Sequence, residues 1–465
     1  AIFLYFKESA AVTPEYLTRF MAMYARAADF MMDNFSASAN HLLYEAQSMV
    51  YGGTFFREFK NASAWRSRGV ELLNREIGVQ VMEDGMQYEL DFGYHLAAIG
   101  TFLTAYNMSK ANGYEGEFPA SYGQTVEKMI ELYCNIMYPD YSEPLFGDNR
   151  RGSKSAVLRN MKMWRSVFPD NGLVRYLQTE RAEGSAPTYL ARQFAASGFY
   201  VLRNGWGTAS TMMVLKNGGG REFWHNQPDN GTFELWRGGR NFFPDSGCYL
   251  YSGDGSISEG RAWFRQTKVH NTLTLDGADI TEQNGRPLLF ASQGSTDICV
   301  TQNAPYPGLA HRRSVFFVDR TFFVVVDEAT GAASGSVGLN WNLCENTSKG
   351  GVTFDQPSGA HTTFNDNNNI IVKSLSPSAL SFAEQEGRVS YDYNAYISRK
   401  AYRVCVDKAA GQAARFISVL YPVASWNQPL YDGVAGSFTD GGYSETGLAL
   451  SVTVGGNTYN LSCTL

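Results

Sequence analysis

The sequence predicts an α+β multidomain protein, in which an N-terminal (α/α) toroid of helical hairpins precedes a C-terminal antiparallel β-sandwich. Residues 1 to about 180 are rich in Ala, Met, Leu, Glu and Lys, whereas short β-branched and aromatic runs bounded by Gly, Asn and Asp follow from about residue 190. The length of 465 residues also exceeds what one compact core usually holds. We expect the boundary between Glu183 and Pro187, which gives domains at 1–185 and 186–465.

The segment TPEYLTRFMAMYARAADFMMDNF shows the helical pattern of the first half. Thr13 is a suitable N-cap, and Pro14 takes the first helical position. Leu17, Phe20 and Tyr24 recur at the spacing of one apolar helix face. Further segments of this kind predict antiparallel helix pairs. The chain opens AIFLYFKESA, without an initiator Met or a visible signal peptide, so we expect the natural chain and its toroid to begin upstream.

The sequence pattern of the second half predicts β-strands. GFYVLRNG, STMMVLKNGG, RRSVFFVDRTFFVVVDEATG and LALSVTVGGNTYNLSCTL are typical of an antiparallel sandwich, and RNGWGT and VGGNTY carry hairpin-turn signals. These patterns predict the sandwich domain at 186–465.

Charge and composition exclude several classes of function. The net charge of −6 and the absence of a long Lys/Arg run argue against nucleic-acid binding. No apolar stretch approaches the length of a transmembrane helix. The six cysteines are scattered and none stands in a CxxC motif, which argues against a zinc ribbon. We find no GxSxG, P-loop, HExxH or dinucleotide-binding fingerprint, so the sequence indicates no organic cofactor.

Two segments of the helical half carry candidate catalytic residues. Asn40-His41 opens a helix, where Asn40 would also serve as an ordinary N-cap. The loop DGMQYELDFGYH, residues 84–95, runs into a helix that we expect to begin near Gly93 or Tyr94. The positive potential of a helix N-terminus would help lower the pKa of Tyr94 from its ordinary value, as a tyrosinate base requires. A buried structural tyrosine is the alternative.

The most unusual stretch is REFWHNQPDNGTFELWRGGRNFFPDSGCY, residues 221–249, in which a dense polar loop lies between apolar strands. His225 is its candidate catalytic residue. Gln227 and Asp245, with His270 in VHNTLTLDG, form a candidate metal site of two oxygen ligands and one nitrogen. A hydrogen-bonded polar cluster inside the sandwich is the alternative. The other histidines in polar contexts, His311 and His361, are expected at the surface.

Together, Asn40-His41, DGMQYELDFGYH, WHNQPDNGTFEL, NFFPDSG and VHNTLTLDG resemble the heparinase II/III family of polysaccharide lyases, and most closely its members that cleave heparan sulfate. The resemblance covers nearly the whole chain. It implies that Asn40 and His225 neutralise the substrate carboxylate, that His41 accepts a proton or orients the substrate, and that Tyr94 is the catalytic tyrosine. Tyr88 is a rival for the tyrosine role, although the Tyr-His context favours Tyr94.

The resemblance implies β-elimination at a uronic acid in a cleft between the helical and sandwich domains, with heparan sulfate as the acidic substrate and a periplasmic or secreted location. It also implies a structural divalent ion at Gln227, Asp245 and His270. The oxygen of Gln227 favours Ca²⁺ and the imidazole of His270 favours Zn²⁺, so both ions stay open. A lyase for alginate or another glycosaminoglycan and a non-catalytic glycan-binding protein are the alternatives. Candidates for a local basic cleft are Arg57, Arg66, Arg150, Arg151, Arg261 and Arg265.

Overall fold

The computed structural model describes residues 8–10, 12–219, 225–251 and 255–465. The chain forms two compact units. The first comprises the described residues up to Gln87 together with His95–Ile130, and the second comprises Tyr88–Tyr94 and Glu131–Leu465. No helix in the described ranges has the length and apolar character needed to cross a membrane.

Helices form the first unit and the start of the second. Thr13 caps the first helix as predicted, because its hydroxyl accepts a hydrogen bond from the Tyr16 backbone N–H at 3.2 Å. The described helices are α1 (Pro14–Asp33), α2 (Ala39–Phe55), α3 (Ala62–Gln80), α4 (Phe92–Ala111), α5 (Ala120–Ile136), α6 (Lys154–Val167), α7 (Gly172–Gln178), α8 (Ser256–Phe264) and α9 (Gln428–Asp432), with short 3-10 turns at Glu115–Glu117 and Thr267–Val269.

Helices α2 and α3 pack closely because glycine lies at their contact. A Cβ built on Gly53 would lie 2.3 Å from the carbonyl oxygen of Ala62, so any larger residue would force the helices apart. Met49 of α2 and Trp65 of α3 are buried in the same apolar cluster as Ala28 of α1.

Antiparallel strands make up most of the second unit. They are β1 (Ala191–Phe194), β2 (Phe199–Arg203), β3 (Thr211–Lys216), β4 (Thr232–Arg237), β5 (Arg240–Asn241), β6 (Leu273–Leu275), β7 (Arg286–Gln293), β8 (Thr296–Tyr306), β9 (Leu309–Val318), β10 (Phe322–Thr330), β11 (Gly335–Asn342), β12 (Val352–Asp355), β13 (Gly359–Thr362), β14 (Asn369–Leu375), β15 (Ser381–Asp392), β16 (Ala395–Lys408), β17 (Ala414–Val423), β18 (Ala435–Phe438), β19 (Gly447–Val454) and β20 (Asn457–Thr464).

Four sheets result, with strand orders β1-β2-β3-β4-β5, β12-β13-β14-β17-β10-β9-β8-β7, β15-β16-β11-β6 and β18-β19-β20. The eight-stranded sheet is apolar on both faces. Phe317 and Val325 join a cluster with side chains of the five- and four-stranded sheets, whereas Phe316 and Val324 join a cluster with the three-stranded sheet. The alternation of side chains along a strand explains how one continuous apolar run fills both cores.

The predicted fold class is confirmed: helices dominate the N-terminal part, and an antiparallel sandwich follows. The last helix before the sheets ends at Gln178 and the first strand begins at Ala191, so the secondary structure changes across the predicted linker. The compact units divide the chain at other residues, and the boundary at 185 stays a prediction.

Candidate active site

Tyr94 lies in the first turn of α4, next to the histidine that the sequence singles out in the sandwich. Asp91 directly precedes the helix, and its Oδ1 accepts a hydrogen bond from the Tyr94 backbone N–H at 3.0 Å, as an N-cap residue does. The half-buried Tyr94 ring stacks on the His225 ring, with 3.9 Å between ring centroids and 21° between their planes. The structure therefore brings together two of the predicted catalytic residues, and Tyr94 rather than Tyr88 makes this stacking contact.

His225 is buried between two carboxylates. Its Nδ1 lies 2.9 Å from Asp148 Oδ2, and its Nε2 lies 3.2 Å from Glu89 Oε2. The Tyr251 hydroxyl is 2.9 Å from His225 Nδ1. Each ring nitrogen of His225 therefore has a carboxylate within reach, and the Nδ1 contact with Asp148 fixes the orientation of the ring.

Asp148 connects His225 to two arginines. The Arg261 guanidinium binds both oxygens of Asp148, at 3.2 and 2.8 Å, and Arg265 Nη1 lies 3.7 Å from Asp148 Oδ1. Burial alone would raise the pKa of Asp148, but hydrogen bonds from His225 and Arg261 outweigh it and hold the pKa below its usual range. Asp148 is therefore a fixed anion that orients His225.

The loop that carries Asp148 approaches the His225 backbone closely. The Asp148 backbone N–H donates to the His225 carbonyl oxygen at 3.1 Å. Gly147 precedes it at a φ of 77°, and a Cβ there would lie 2.8 Å from that same carbonyl oxygen. Only glycine fits both the left-handed backbone and the close contact.

The expectation that the helix start lowers the pKa of Tyr94 is wrong. Burial, followed by the negative charges of Asp91, Glu89 and Asp148, raises the pKa of Tyr94 to about 12. The carboxylates that hold His225 and cap α4 outweigh the helix dipole at this position. Tyr94 therefore carries its proton at neutral pH, which makes it ready to donate that proton.

Asp91 is fully buried beside Tyr94, and Oδ2 of its carboxylate has no hydrogen-bond partner in the described structure. Burial raises the pKa of Asp91 to about 7, and the charge of Asp148 adds to that shift. Because the pKa of an unperturbed aspartate is about 3.9, the folded protein holds a proton there that the unfolded chain has already released. Folding stability therefore falls as pH rises from about 4 to 7.

Replacing Asp91 with asparagine is expected to stabilise the protein at alkaline pH. The amide keeps the cap on Tyr94 but removes the cost of ionising a buried carboxyl, so the free energy of unfolding should rise by about 1–2 kcal/mol at pH 8. The gain should vanish near pH 4, where wild-type Asp91 is protonated in both states. Urea unfolding of both proteins at pH 4, 6 and 8 measures this, and a difference that stays constant across pH would contradict the assignment.

Asn40 and His41 belong to the first unit, whereas Tyr94 and His225 belong to the second. The expectation that Asn40 caps the helix is wrong. Helix α2 begins at Ala39 with Ser38 in the cap position, so Asn40 is the second helical residue.

Ala39 adopts a φ of 65°, a conformation that costs a non-glycine residue about 1–3 kcal/mol and that clusters at functional sites. The His41 side chain is exposed.

The predicted metal-binding residues lie in the sandwich, and two of them touch. His270 Nδ1 is 2.7 Å from Asp245 Oδ2. Asp229, which the sequence analysis missed, completes a buried group with Asp245 and His270 whose ligand atoms all lie within 4.8 Å of one another. Gln227 is also fully buried, and its Nε2 donates to the Gly147 carbonyl oxygen at 2.7 Å.

Three buried polar atoms of this group have no hydrogen-bond partner in the described structure: Gln227 Oε1, Asp229 Oδ1 and His270 Nε2. Leaving a buried polar atom unpaired costs about 1–3 kcal/mol. A divalent cation held by Asp229, Asp245 and His270 would satisfy two of these atoms, and carboxylates and an imidazole, with the Gln227 amide oxygen that the resemblance adds, suit either Ca²⁺ or Zn²⁺. The residues therefore fit the metal that the resemblance implies, with Asp229 as an added ligand.

The six candidate arginines divide into three pairs. Arg261 and Arg265 contact Asp148, and this position is consistent with the predicted local basic cleft. Arg150 and Arg151 are exposed, and their guanidinium groups stack on Tyr393 and Tyr391. The remaining two do not fit the prediction, because Arg57 pairs with its exposed neighbour Glu58 and the buried Arg66 is fixed by Glu117.

The expectation that His311 and His361 lie at the surface is wrong. His311 is buried, with its Nε2 2.6 Å from Asp327 Oδ1. His361 is buried against the Trp426 ring, with its Nδ1 2.7 Å from Asp355 Oδ2. Both histidines lie in strands whose neighbours supply a carboxylate, and that pairing cannot be seen in one local sequence.

Two family descriptions match the chain. Heparinase II/III N-terminus matches residues 1–176, and Heparinase II/III-like, C-terminal matches residues 186–414. The heparin-sulfate lyase of Bacteroides stercoris is 42% identical over 463 residues, which is 99% of this chain and 68% of that protein. The heparin-sulfate lyase of Pedobacter heparinus is 40% identical over 428 residues, which is 92% of this chain and 64% of that protein.

Solved structures agree with these matches. A structure described as heparinase III is 41% identical and superposes with a TM-score of 0.93 over 100% of this chain and 72% of its own. The heparan sulfate lyase HepC from Pedobacter heparinus is 38% identical, with a TM-score of 0.88 over 100% of this chain and 72% of its own. The chain thus spans about two thirds of the length of its curated relatives and matches them along nearly all of its own.

Proposed function

This chain belongs to the heparinase II/III family, and we propose that it is a polysaccharide lyase that cleaves heparan sulfate by β-elimination. In that reaction the proton at C5 of a uronic acid leaves, the bond from C4 to the linking oxygen breaks, and a 4,5-unsaturated uronate forms. The relatives named heparin-sulfate lyase support the substrate. The observation that carries the chemistry is the stacking of Tyr94 on His225, which is itself held by Asp148.

We assign the proton transfers to Tyr94. Its pKa of about 12 keeps the phenol protonated, so it is equipped to give a proton to the departing sugar oxygen. The small fraction of Tyr94 that is ionised before the substrate binds would accept the C5 proton, become a phenol, and then give that same proton to the linking oxygen as the C4–O bond breaks. One tyrosine can play both parts when the C5 proton and the leaving oxygen lie on the same face of the sugar.

His225 and Asn40 are assigned to the substrate carboxylate. Removal of the C5 proton places negative charge on the adjacent carboxylate, and hydrogen-bond donors fixed in advance stabilise that charge by several kcal/mol. Asp148 holds His225 through Nδ1, and Nε2, which lies 3.2 Å from Glu89 Oε2, would exchange that contact for the substrate carboxylate. The roles of Asn40 as an amide donor and of His41 as an assisting group rest on the family resemblance.

We also propose that Gln227, Asp229, Asp245 and His270 hold one structural divalent ion. The ion would join the polar loop after His225 to the segment after β5 that carries Asp245 and to His270, which directly follows the 3-10 turn Thr267–Val269, and so would support the position of His225. No step of the elimination needs the ion.

Removing this metal is expected to destabilise the protein. Metal released by a chelator should lower Tm by about 5 °C or more, because a tightly bound ion adds about 3–4 kcal/mol to folding stability. Elemental analysis should find one equivalent of Ca²⁺ or Zn²⁺ per chain, and His270→Ala should lose it. His361→Ala is the matched control, since His361 forms a histidine–aspartate pair of the same 2.7 Å length outside the cluster. Equal metal content in both variants would contradict the site.

The function is tested with a panel of uronic-acid polymers: heparan sulfate, heparin, chondroitin sulfate, hyaluronan and alginate. The unsaturated product absorbs ultraviolet light, so each reaction is followed directly. We expect the largest rate on heparan sulfate. A flat trace on every polymer would reject a lyase, and a rise on alginate alone would select the alginate-lyase alternative.

A further inference from the structure

A cavity that does not belong to the candidate active site lies beside the loop that carries Asp148. It has a volume of about 570 Å³, within the range of ordinary ligand sites, and all of its lining residues belong to the second unit. Its walls come from the loop around Arg151, the β4–β5 turn and the segment around Lys349. Neither Tyr94 nor His225 lines it.

The loop ties this cavity to the candidate active site. Arg151 lines the cavity and follows Asp148 by only three residues, so their Cα atoms are at most about 11 Å apart. The Arg151 backbone N–H donates to the Tyr391 carbonyl oxygen at 3.0 Å, and the Arg151 guanidinium stacks on the Tyr391 ring, 3.6 Å from its centroid. Stacking fixes the guanidinium plane and leaves its N–H edges available to an anion.

The acidic residues of the cavity already have partners. Asp140 accepts hydrogen bonds from Ser142 and Trp236. Glu345 accepts one from the Tyr391 hydroxyl at 2.8 Å. Asp366 forms a two-point ion pair with Arg240, at 3.1 and 2.7 Å.

Two of the four basic residues of the cavity form ion pairs, whereas Asp140 and Glu345 are held by hydrogen bonds from neutral groups. Arg240 is neutralised by Asp366, and Lys154 pairs with Glu180, which does not line the cavity. Arg151 and Lys349 are exposed, and neither lies within ion-pair distance of a carboxylate in the described part of the chain, although Lys349 is near enough to Asp366 to interact with its charge. The cavity therefore offers two cations to a ligand that brings its own negative charge.

We propose that this cavity is a secondary subsite that binds an anionic sugar of the substrate chain, through its sulfate or carboxylate groups, outside the unit that is cleaved. The proposal rests on the proposed function. Anchoring at a distance from the cleavage point favours long chains over short oligosaccharides, so the enzyme should cut within polymers in preference to trimming small products.

The test compares two doubly substituted proteins. Arg151→Gln with Lys349→Gln removes both cations of the cavity. Arg159→Gln with Lys162→Gln is the matched control, because it removes one arginine and one lysine from exposed positions of α6 that do not line the cavity. We expect KM for long heparan sulfate to rise about five- to tenfold in the cavity variant only, with kcat unchanged. KM for the shortest oligosaccharide that is cleaved should not change.

A cavity variant that matches the control on long chains would overturn the proposal, as would an equal loss on long and short substrates. A binding experiment keeps this result separate from the proposed function. Fluorescently labelled heparin dodecasaccharide is titrated into both doubly substituted proteins in a Tyr94→Phe background, and we expect about five- to tenfold weaker binding by the cavity variant. This difference is measured even if wild type cleaves no polymer, and equal binding would overturn the subsite. An unsulfated chain of the same length distinguishes the two kinds of recognition. If the cavity recognises sulfate, only the sulfated chain will bind more weakly to the cavity variant; if it recognises carboxylate, both chains will.

Discussion

Tyr94→Phe is expected to lower kcat by at least about 10³-fold and to leave KM nearly unchanged. The substitution removes one hydroxyl group and keeps the ring that stacks on His225, so the local packing and the substrate contacts of the ring survive. Loss of a group that transfers protons in the transition state lowers kcat, whereas loss of uniform binding raises KM. Initial rates of unsaturated product formed from heparan sulfate measure both constants.

Tyr88→Phe and Tyr251→Phe are the controls for this result. Tyr88 lies in the same loop as Tyr94, and the Tyr251 hydroxyl contacts His225, so each variant removes a nearby phenol without removing the proposed proton carrier. Both should keep more than a tenth of the wild-type kcat. A wild-type rate in Tyr94→Phe would end its proposed role and make Tyr88 or His41 the candidate base.

The pKa of Tyr94 gives the proton transfer a distinct pH dependence. At pH 7 a phenol with a pKa of about 12 is ionised in roughly one molecule in 10⁵. If the tyrosinate accepts the C5 proton, kcat/KM should rise with pH through the range in which the protein stays folded. Above pH 7, where Asp91 is ionised, Asp91→Asn removes one of the charges that raise this pKa and should therefore increase kcat/KM.

The fold was predictable because its signals are local. The Thr13-Pro14 cap, the helical spacing after it and the Gly455-Gly456 turn between β19 and β20 each act within a few residues. The burial of both faces of β10 is consistent with its apolar run Phe322–Val326, whereas β9 also buries His311, Arg312 and Arg313, which its sequence does not indicate. The start of α2 was misplaced because Asn40 is a good cap by type, whereas the helix begins one residue earlier with Ser38 in the cap position.

The candidate site was predictable only in part, because its partners come from distant segments. The polar loop after residue 224 pointed to His225, and the segment after β5 brings Asp245 to His270, which lies just before β6. Asp148 had no comparable signal, since it stands in an ordinary turn and meets His225 77 positions along the chain. Burial and the charges of Asp91, Glu89 and Asp148 together reverse the predicted pKa shift of Tyr94. The sequence analysis chose Gln227 and overlooked Asp229 as a metal ligand. In the structure, Asp229 Oδ2 binds Lys216 at 2.8 Å, and Asp229 Oδ1 has no hydrogen-bond partner among the described residues.

Asp148→Asn is expected to lower kcat by about 10²–10³-fold, although asparagine has nearly the same shape. The anion beside His225 Nδ1 fixes which ring nitrogen donates to the substrate. An amide can face that nitrogen as a donor, which would select the other tautomer and misplace the proton. Because the carboxylate pKa is held low by His225 and Arg261, its stabilising effect is present at neutral pH and is lost as pH falls through that lowered pKa. The variant should therefore also unfold more easily at pH 7 than wild type, and the difference should disappear in acid.

Asp297→Asn separates the catalytic effect from this loss of stability. Asp297 is also fully buried and also binds an arginine at two points, with Arg320 Nε and Nη2 at 2.9 and 3.0 Å, but it lies at the start of β8 and contacts none of the candidate catalytic residues. Both variants should lose about 1–3 kcal/mol of unfolding free energy, because each leaves a partly buried arginine without its carboxylate. Only Asp148→Asn should lose turnover, measured at a temperature where both proteins are fully folded. Equal turnover in the two variants would mean that Asp148 stabilises the loop without orienting His225, and the charge that neutralises the substrate carboxylate would then have to come from Arg261 or Arg265.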